Sequence, residues 1–148
     1  MPVLGRLVTV GAGVVATSCA LSYDPTDPWA VTLTLWPGSP DPVVWLFARD
    51  LLAEGRRVRV APVGGCVAVA PAPDGFGGDS EQPWVQIELT NPCQGRQAAL
   101  LVPLRVVDAF IAQTERRVPP GAEADQVDWE PVLRAWIGDG RHGGRWAA

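Results

Sequence analysis

Two stretches of the chain alternate with a period of two, and prolines or glycines stand close to the ends of each. In Trp29–Trp36 (WAVTLTLW), Trp29, Val31, Leu33 and Leu35 share one face while Thr32, Thr34 and Trp36 share the other. In Trp84–Leu89 (WVQIEL), Val85, Ile87 and Leu89 lie opposite Trp84, Gln86 and Glu88. Such alternation is the pattern of a half-buried strand, in which successive side chains point to opposite faces of a sheet. The breaks between strands are equally explicit. Tyr23-Asp24-Pro25-Thr26-Asp27-Pro28, Pro37-Gly38-Ser39-Pro40 and Asn91-Pro92-Cys93-Gln94-Gly95 read as turns, because proline cannot donate to a ladder and glycine accepts tight backbone angles.

Further strands follow from Val-rich and Ala-rich runs. Val3–Val10 and Val14–Leu21 are split at Gly11-Ala12-Gly13, and Val43–Leu46, Val58–Val60, Cys66–Ala70 and Ala98–Val102 complete the set. At Phe47 the period changes: Phe47, Leu51 and Glu54, with Ala48 and Leu52 beside them, predict a helix of about two turns capped by Gly55. Pro103 suits the first turn of a second helix, with Val106, Val107, Phe110, Ile111 and Thr114 as its apolar stripe. Arg116 and Arg117 favour its C-terminal dipole, and Pro119-Pro120-Gly121 stops it. Asp128 is a candidate N-cap for a third helix, whose apolar side is Trp129, Val132, Leu133, Trp136 and Ile137. Each half of the chain is strands followed by a helix. The expected fold is therefore α+β, antiparallel strands plus helices in two similar halves. It forms a single domain over residues 1–137 with a flexible tail at 138–148 and a mobile loop between Pro71 and Pro83.

Composition narrows the partner. The 148 residues are 47% hydrophobic with a net charge of −4, and all twelve basic residues are arginine. A chain of this charge does not draw in polyanions as a whole, which makes nucleic acid an unlikely partner; Arg56, Arg57 and Arg59 are the one dense basic cluster. Cys19, Cys66 and Cys93 are an odd and widely spaced set, which argues against a disulfide framework or a structural zinc site and favours a reducing, cytoplasmic setting. Residues 7–20 after Arg6 offer a competing reading, an export signal with Ala16-Thr17-Ser18-Cys19 as a lipoprotein box. Two short strands fit the same residues, with Gly11 and Gly13 interrupting any h-region. No window reaches the roughly 20 apolar residues of a membrane span.

The chain offers little to a catalyst. His142, the one histidine, sits among glycines in Gly140–Arg145 and reads as a solvated tail residue rather than a positioned base. Asp24 and Asp27 suit Asx-turn caps better than a calcium site, which wants about six oxygens or more. Asp125, Asp128 and Glu130 complement the third helix dipole. Gly11-x-Gly13 lacks the third glycine and following helix of a dinucleotide cradle. No catalytic, metal or cofactor residues emerge, so the expectation is a non-enzymatic protein-binding domain. Among the tryptophans, Trp45, Trp84, Trp129 and Trp136 read as core. Trp29 and Trp36 lie on opposite faces of one strand, so one can be exposed as an interface anchor. Arg49 and Asp50 are open between a surface pair and an interface contact. The candidate partner-binding residues are Trp29, Trp36, Arg49 and Asp50.

Three blocks carry a family resemblance: Tyr23–Val31 (YDPTDPWAV), Val44–Gly55 (VWLFARDLLAEG) and Val118–Glu123 (VPPGAE). In order and spacing, over about residues 21 to 137, they resemble the SsgA-like proteins, small sporulation and cell-division regulators of actinobacteria. Trp29 stands where tyrosine is commoner in that pattern. The resemblance implies a non-catalytic protein with a fold similar to the Whirly proteins, assembled as a homotrimer. It implies a role in localising the tubulin-like GTPase FtsZ to future septa together with SsgA-like paralogues, and hence a place in the cytoplasm at the division septum. By analogy of fold alone, a Whirly-like single-stranded nucleic-acid binder is the alternative. A third reading is an exported lipoprotein anchored at Cys19.

Overall fold

The computed structural model describes residues 1–9, 13–38, 41–73, 82–91, 93 and 95–138. Gly11-Ala12 of the first turn, Ser39-Pro40, most of the Pro71–Pro83 loop, Pro92, Gln94 and the tail with His142 lie outside the described residues. Among the described residues seven strands form, β1 (Pro2–Thr9), β2 (Gly13–Ser22), β3 (Ala30–Trp36), β4 (Val43–Ala48), β5 (Val67–Pro71), β6 (Trp84–Asn91) and β7 (Arg96–Pro103). They make one sheet in the order β4-β3-β2-β1-β7-β6-β5, with every neighbouring pair antiparallel. The helices are α1 (Arg49–Gly55) after the first four strands, α2 (Leu104–Arg117) after the last three, and α3 (Trp129–Gly138) beyond a single turn of 3-10 helix at Ala124–Gln126. The strands-then-helix recipe of each half is thus the fold's actual plan, and the fold is α+β.

β1 is the seam. Its Leu7 sits opposite Val15 of β2 on one side and Leu100 of β7 on the other. Residues 2–9 and 13–22 are therefore a strand hairpin, and Cys19 is buried within it. Cleavage before Cys19 would delete the strand that joins the two halves of the sheet. Burial pushes the Cys19 thiol up to about 11, against a smaller opposing pull from the Gly5 backbone.

Alternation decides the layers. Leu21, Val31, Leu33, Ile87, Leu100 and Val102 turn to one face, where α1 and α2 supply Leu52, Val107 and Ile111, all fully or almost fully buried. Each such aliphatic side chain contributes about 1.5–3 kcal/mol on burial. α1 leaves β4 at one edge of the sheet and packs against β5 at the other. The sheet must therefore curl until its two edge strands share a helix, which leaves a concave face holding the core and a convex face turned outward.

Several sequence expectations shift. Phe47 and Ala48 belong to β4 rather than to the helix, because Phe47 pairs with Val31 and Ala48 with Ala30, extending the ladder by two residues. Of Val58–Val60 only Val60 pairs, in an isolated bridge with Val69. Pro103 ends β7, and α2 starts at Leu104, whose N–H donates to the Pro83 carbonyl at 2.9 Å. Asp128 does cap α3: its Oδ1 accepts the Glu130 N–H at 3.1 Å. Gly55 is not a left-handed cap but the last residue of α1. A Cβ built there would stand 2.4 Å from the Cβ of Val69, so glycine is required for the helix to lie against β5.

In an ordinary helix, replacing glycine by alanine stabilises by about 0.5–1 kcal/mol. Here Gly55→Ala is expected to lower stability by about 1–3 kcal/mol through overpacking, read as a lower midpoint in denaturant unfolding. A rise in the midpoint would contradict the close packing of α1 on Val69.

Candidate protein-interaction surface

The three sequence blocks converge on one side chain. Arg49 opens α1 and is 3% exposed. Its backbone N–H donates to the Trp29 carbonyl at 2.7 Å. Its guanidinium donates to the Val118 carbonyl at 2.7 Å, to the Tyr23 hydroxyl at 3.3 Å and to the Glu123 carboxylate, with which it forms an ion pair. The guanidinium carbon also lies 5.7 Å from the centre of the Tyr23 ring. A buried charge is tolerated when it is paired and its donors are satisfied, and here the acceptors come from two distant turns.

Each turn is built for that task. Asp24 Oδ1 accepts the Thr26 N–H at 2.9 Å, which holds its carboxyl below the usual carboxylate range. Backbone bonds from Asp27 to Asp24 and from Ala30 to Asp27 wind the chain around the Tyr23 ring, whose hydroxyl donates to the Pro28 carbonyl. On the other side, Ala122 N–H donates to the Pro119 carbonyl and Gly121 has φ of 87°. Proline followed by a positive-φ glycine at the two central positions makes a type II turn. That turn swings Glu123 back onto Arg49. The expectation that Arg49 is a surface or interface contact is corrected: its charge is spent inside the fold, tying Tyr23–Val31, Val44–Gly55 and Val118–Glu123 together.

The other three candidates are accessible. Asp50 is exposed on α1. Trp29 is 44% exposed in the turn before β3, its ring 6.3 Å from that of Trp129 and tilted by 53°. Trp129, expected in the core, is instead half-exposed and donates through Nε1 to the Ala124 carbonyl. Trp36 is 39% exposed and stands on the convex face, opposite Ser18 in the β2–β3 register.

Around Trp36 the convex face has an unusual composition. The register places Val14, Ala16, Ser18, Ala20 and Ser22 of β2 beside Ala30, Thr32, Thr34 and Trp36 of β3, and these beside Val44, Leu46 and Ala48 of β4. None of these twelve is ionisable. Val44 is 59% and Leu46 64% exposed, and among the described residues no helix covers them. The other half of the same face mixes charged and polar residues with buried Ala68, Ala70 and Leu101. Arg6 lies over the Trp84 ring at 5.1 Å, and Arg59 pairs with Glu88, whose carboxyl is held below its usual range chiefly by that hydrogen bond. This bare, uncharged sheet surface, on a chain of net charge −4, is the largest departure from an ordinary hydrated sheet face among the described residues. Val14, Val44 and Leu46 escape sequence reading because an all-apolar run such as Val43–Ala48 reads as a strand buried on both faces.

Comparison with known proteins gives the kinship of this antiparallel α+β sheet. A family model described as Streptomyces sporulation and cell division protein, SsgA, matches residues 17–123, ending at the carboxylate that pairs with Arg49. The sporulation-specific cell division protein SsgB of Streptomyces coelicolor is 37% identical over 129 residues, covering 86% of this chain and 87% of that protein. SsgB of Frankia casuarinae is 34% identical over 136 residues, covering 91% and 88%. A structure solved in work on SsgB mutations that correlate with longitudinal cell division during sporulation of Streptomyces coelicolor superposes with a TM-score of 0.72 at 35% identity, covering 85% of this chain and 92% of that one. The crystal structure of an SsgA-like sporulation-specific cell division protein from Thermobifida fusca gives 0.74 at 28% identity, covering 95% and 93%. The chain belongs to the SsgA family of sporulation and cell-division proteins.

Burial raises the Tyr23 phenol above its ordinary value, an effect the Arg49 charge offsets in part. The native state therefore keeps that proton longer than the unfolded chain. The associated stability is whole below the unfolded phenol pKa of about 10 and is lost as pH climbs through the folded value. Tyr23 is the chain's one tyrosine, so phenolate absorbance reads it directly. The native midpoint is expected above that of the urea-unfolded chain, and a midpoint at or below it would contradict the buried setting.

Proposed function

We propose that this chain is a non-catalytic regulator of sporulation-specific cell division that helps localise the division machinery to septum sites by protein–protein binding. The observation that carries this reading is the uncharged convex face of β2–β4. It fits a surface through which copies of the chain associate as a homotrimer. The assembly then presents Trp29 and Asp50, at the end of the sheet where β3 starts and β4 ends, to division partners. FtsZ and SsgA-like paralogues are the partners proposed, and the cytoplasmic side of the division septum the place of action. Family membership supports the division role.

The nucleic-acid alternative finds less support. Of the dense basic cluster, Arg56 donates to Asp108 at 2.5 Å and Arg59 is paired with Glu88. The convex face of β2–β4 carries no cation to meet a phosphate backbone, which single-strand binding demands.

Light scattering coupled to gel filtration is expected to give the mass of three chains. Leu46→Asp should lower it to one chain while leaving the far-ultraviolet circular dichroism of the folded chain unchanged. Immobilised protein should retain FtsZ or an SsgA-like paralogue, and Trp29→Ala or Asp50→Arg should weaken that capture about tenfold or more, the effect of losing an interface anchor. A monomer that captures no division protein would overturn the reading.

A further inference from the structure

Among the described residues two apolar surfaces stand uncovered: a sheet half without a helix, and a helix whose Trp129 and Leu133 are half-exposed. The sheet half is the convex face of β2–β4. The helix is α3, which follows the Arg49-bound turn and makes no extended contact with any strand or helix among the described residues. Its foot is pinned, since Trp129 meets Trp29 and donates to Ala124. Beyond that foot Leu133 is 51% exposed. In sequence Trp129, Val132, Leu133, Trp136 and Ile137 recur at the spacing of one helix side. Ten residues of chain follow Gly138.

The two surfaces match in charge and size. The charged residues of α3, Glu130 and Arg134, pair with each other at 3.0 Å across one turn, so packing the apolar side buries no unpaired charge. The sheet half carries no ionisable group either. Ten helical residues span about 15 Å with a diameter of about 10–12 Å, and three strands about 4.8 Å apart present a strip of similar width. The exposed parts of Val14, Trp36, Val44 and Leu46, with the small residues between them, come to several hundred Å2, approaching the roughly 800 Å2 that each partner of a standard interface buries.

We infer that α3 of one copy docks on the β2–β4 convex face of the next. This rests on the reading that the chain self-associates, and it names the occupant of that face. The contact is heterologous, helix to sheet, so each copy gives one and receives one. Such contacts close into a ring when the rotation allows, which suits a trimer and leaves neither apolar surface bare.

The test uses full-length protein with Cys66→Ser and Cys93→Ser. One preparation carries Leu46→Cys and another Leu133→Cys; they are mixed, exchanged and treated with a short bismaleimide. The expected product is a covalent two-chain species joining position 46 of one copy to position 133 of another, identified by peptide mass. Light scattering on the same mixture reports assembly. An assembled mixture linked only between two copies of position 46, or not linked, would overturn the helix-to-sheet contact and leave self-association standing. A sample of single chains would overturn both.

Discussion

A guanidinium with almost no access to water must be surrounded by acceptors, and Arg49 draws its acceptors from residues 26, 69 and 74 positions away in the chain. No local folding event can supply them. The Tyr23 turn, the start of α1 and the turn after α2 must all be in place before the charge is satisfied, so the ion pair acts as a check on the assembled fold. Removing one partner of such a pair leaves a buried charge or an orphaned carbonyl, which is far more harmful than never having had the pair. Lysine would bring a point charge where a planar fork reaching several acceptors is needed. The family blocks are therefore explained as the parts of one buried junction, and a signature that invites a functional reading turns out to be structural.

That junction uses none of the convex face of the sheet. With the concave side of the curled sheet filled by α1 and α2, the convex side divides by charge. The half built from β5–β7 and β1 carries charge, with Arg6 over Trp84 and Arg59 against Glu88. The β2–β4 half has no such feature, and β4 is also an edge strand. Proteins ordinarily protect edges with charge or proline within the strand; Val43–Ala48 has neither. An unprotected edge beside an uncharged face is a stable arrangement in an assembly and a hazard in an isolated chain.

Much of this was legible in the residues. The period-two alternation places β3 to within a residue and β6 to within two, Asp128 reads as the cap that it is, and the order of strands and helices gives an α+β fold. What failed did so for physical reasons. Phe47 satisfies both a strand alternation with Trp45 and a helical spacing with Leu51, and only its pairing with Val31 decides between them. Gly55 reads as a cap because the contact that requires it, with Val69, lies outside its local sequence. Arg49 reads as a surface charge because its partners are distant. The exposure of Trp36 is easier to read than that of Leu46: an aromatic residue alternating with threonines signals a solvent-facing position, whereas a leucine inside an apolar run does not.

Arg49 and Glu123 form one coupled structural unit. A double-mutant cycle of Arg49→Met and Glu123→Gln, read by denaturant unfolding, tests it most directly. The expected coupling energy is at the upper end of the range for residues in contact, about 2–3 kcal/mol, with each single variant losing most of what the double variant loses. Additive effects within about 0.5 kcal/mol would mean that the two side chains act independently, and that something other than their pairing holds the family blocks together.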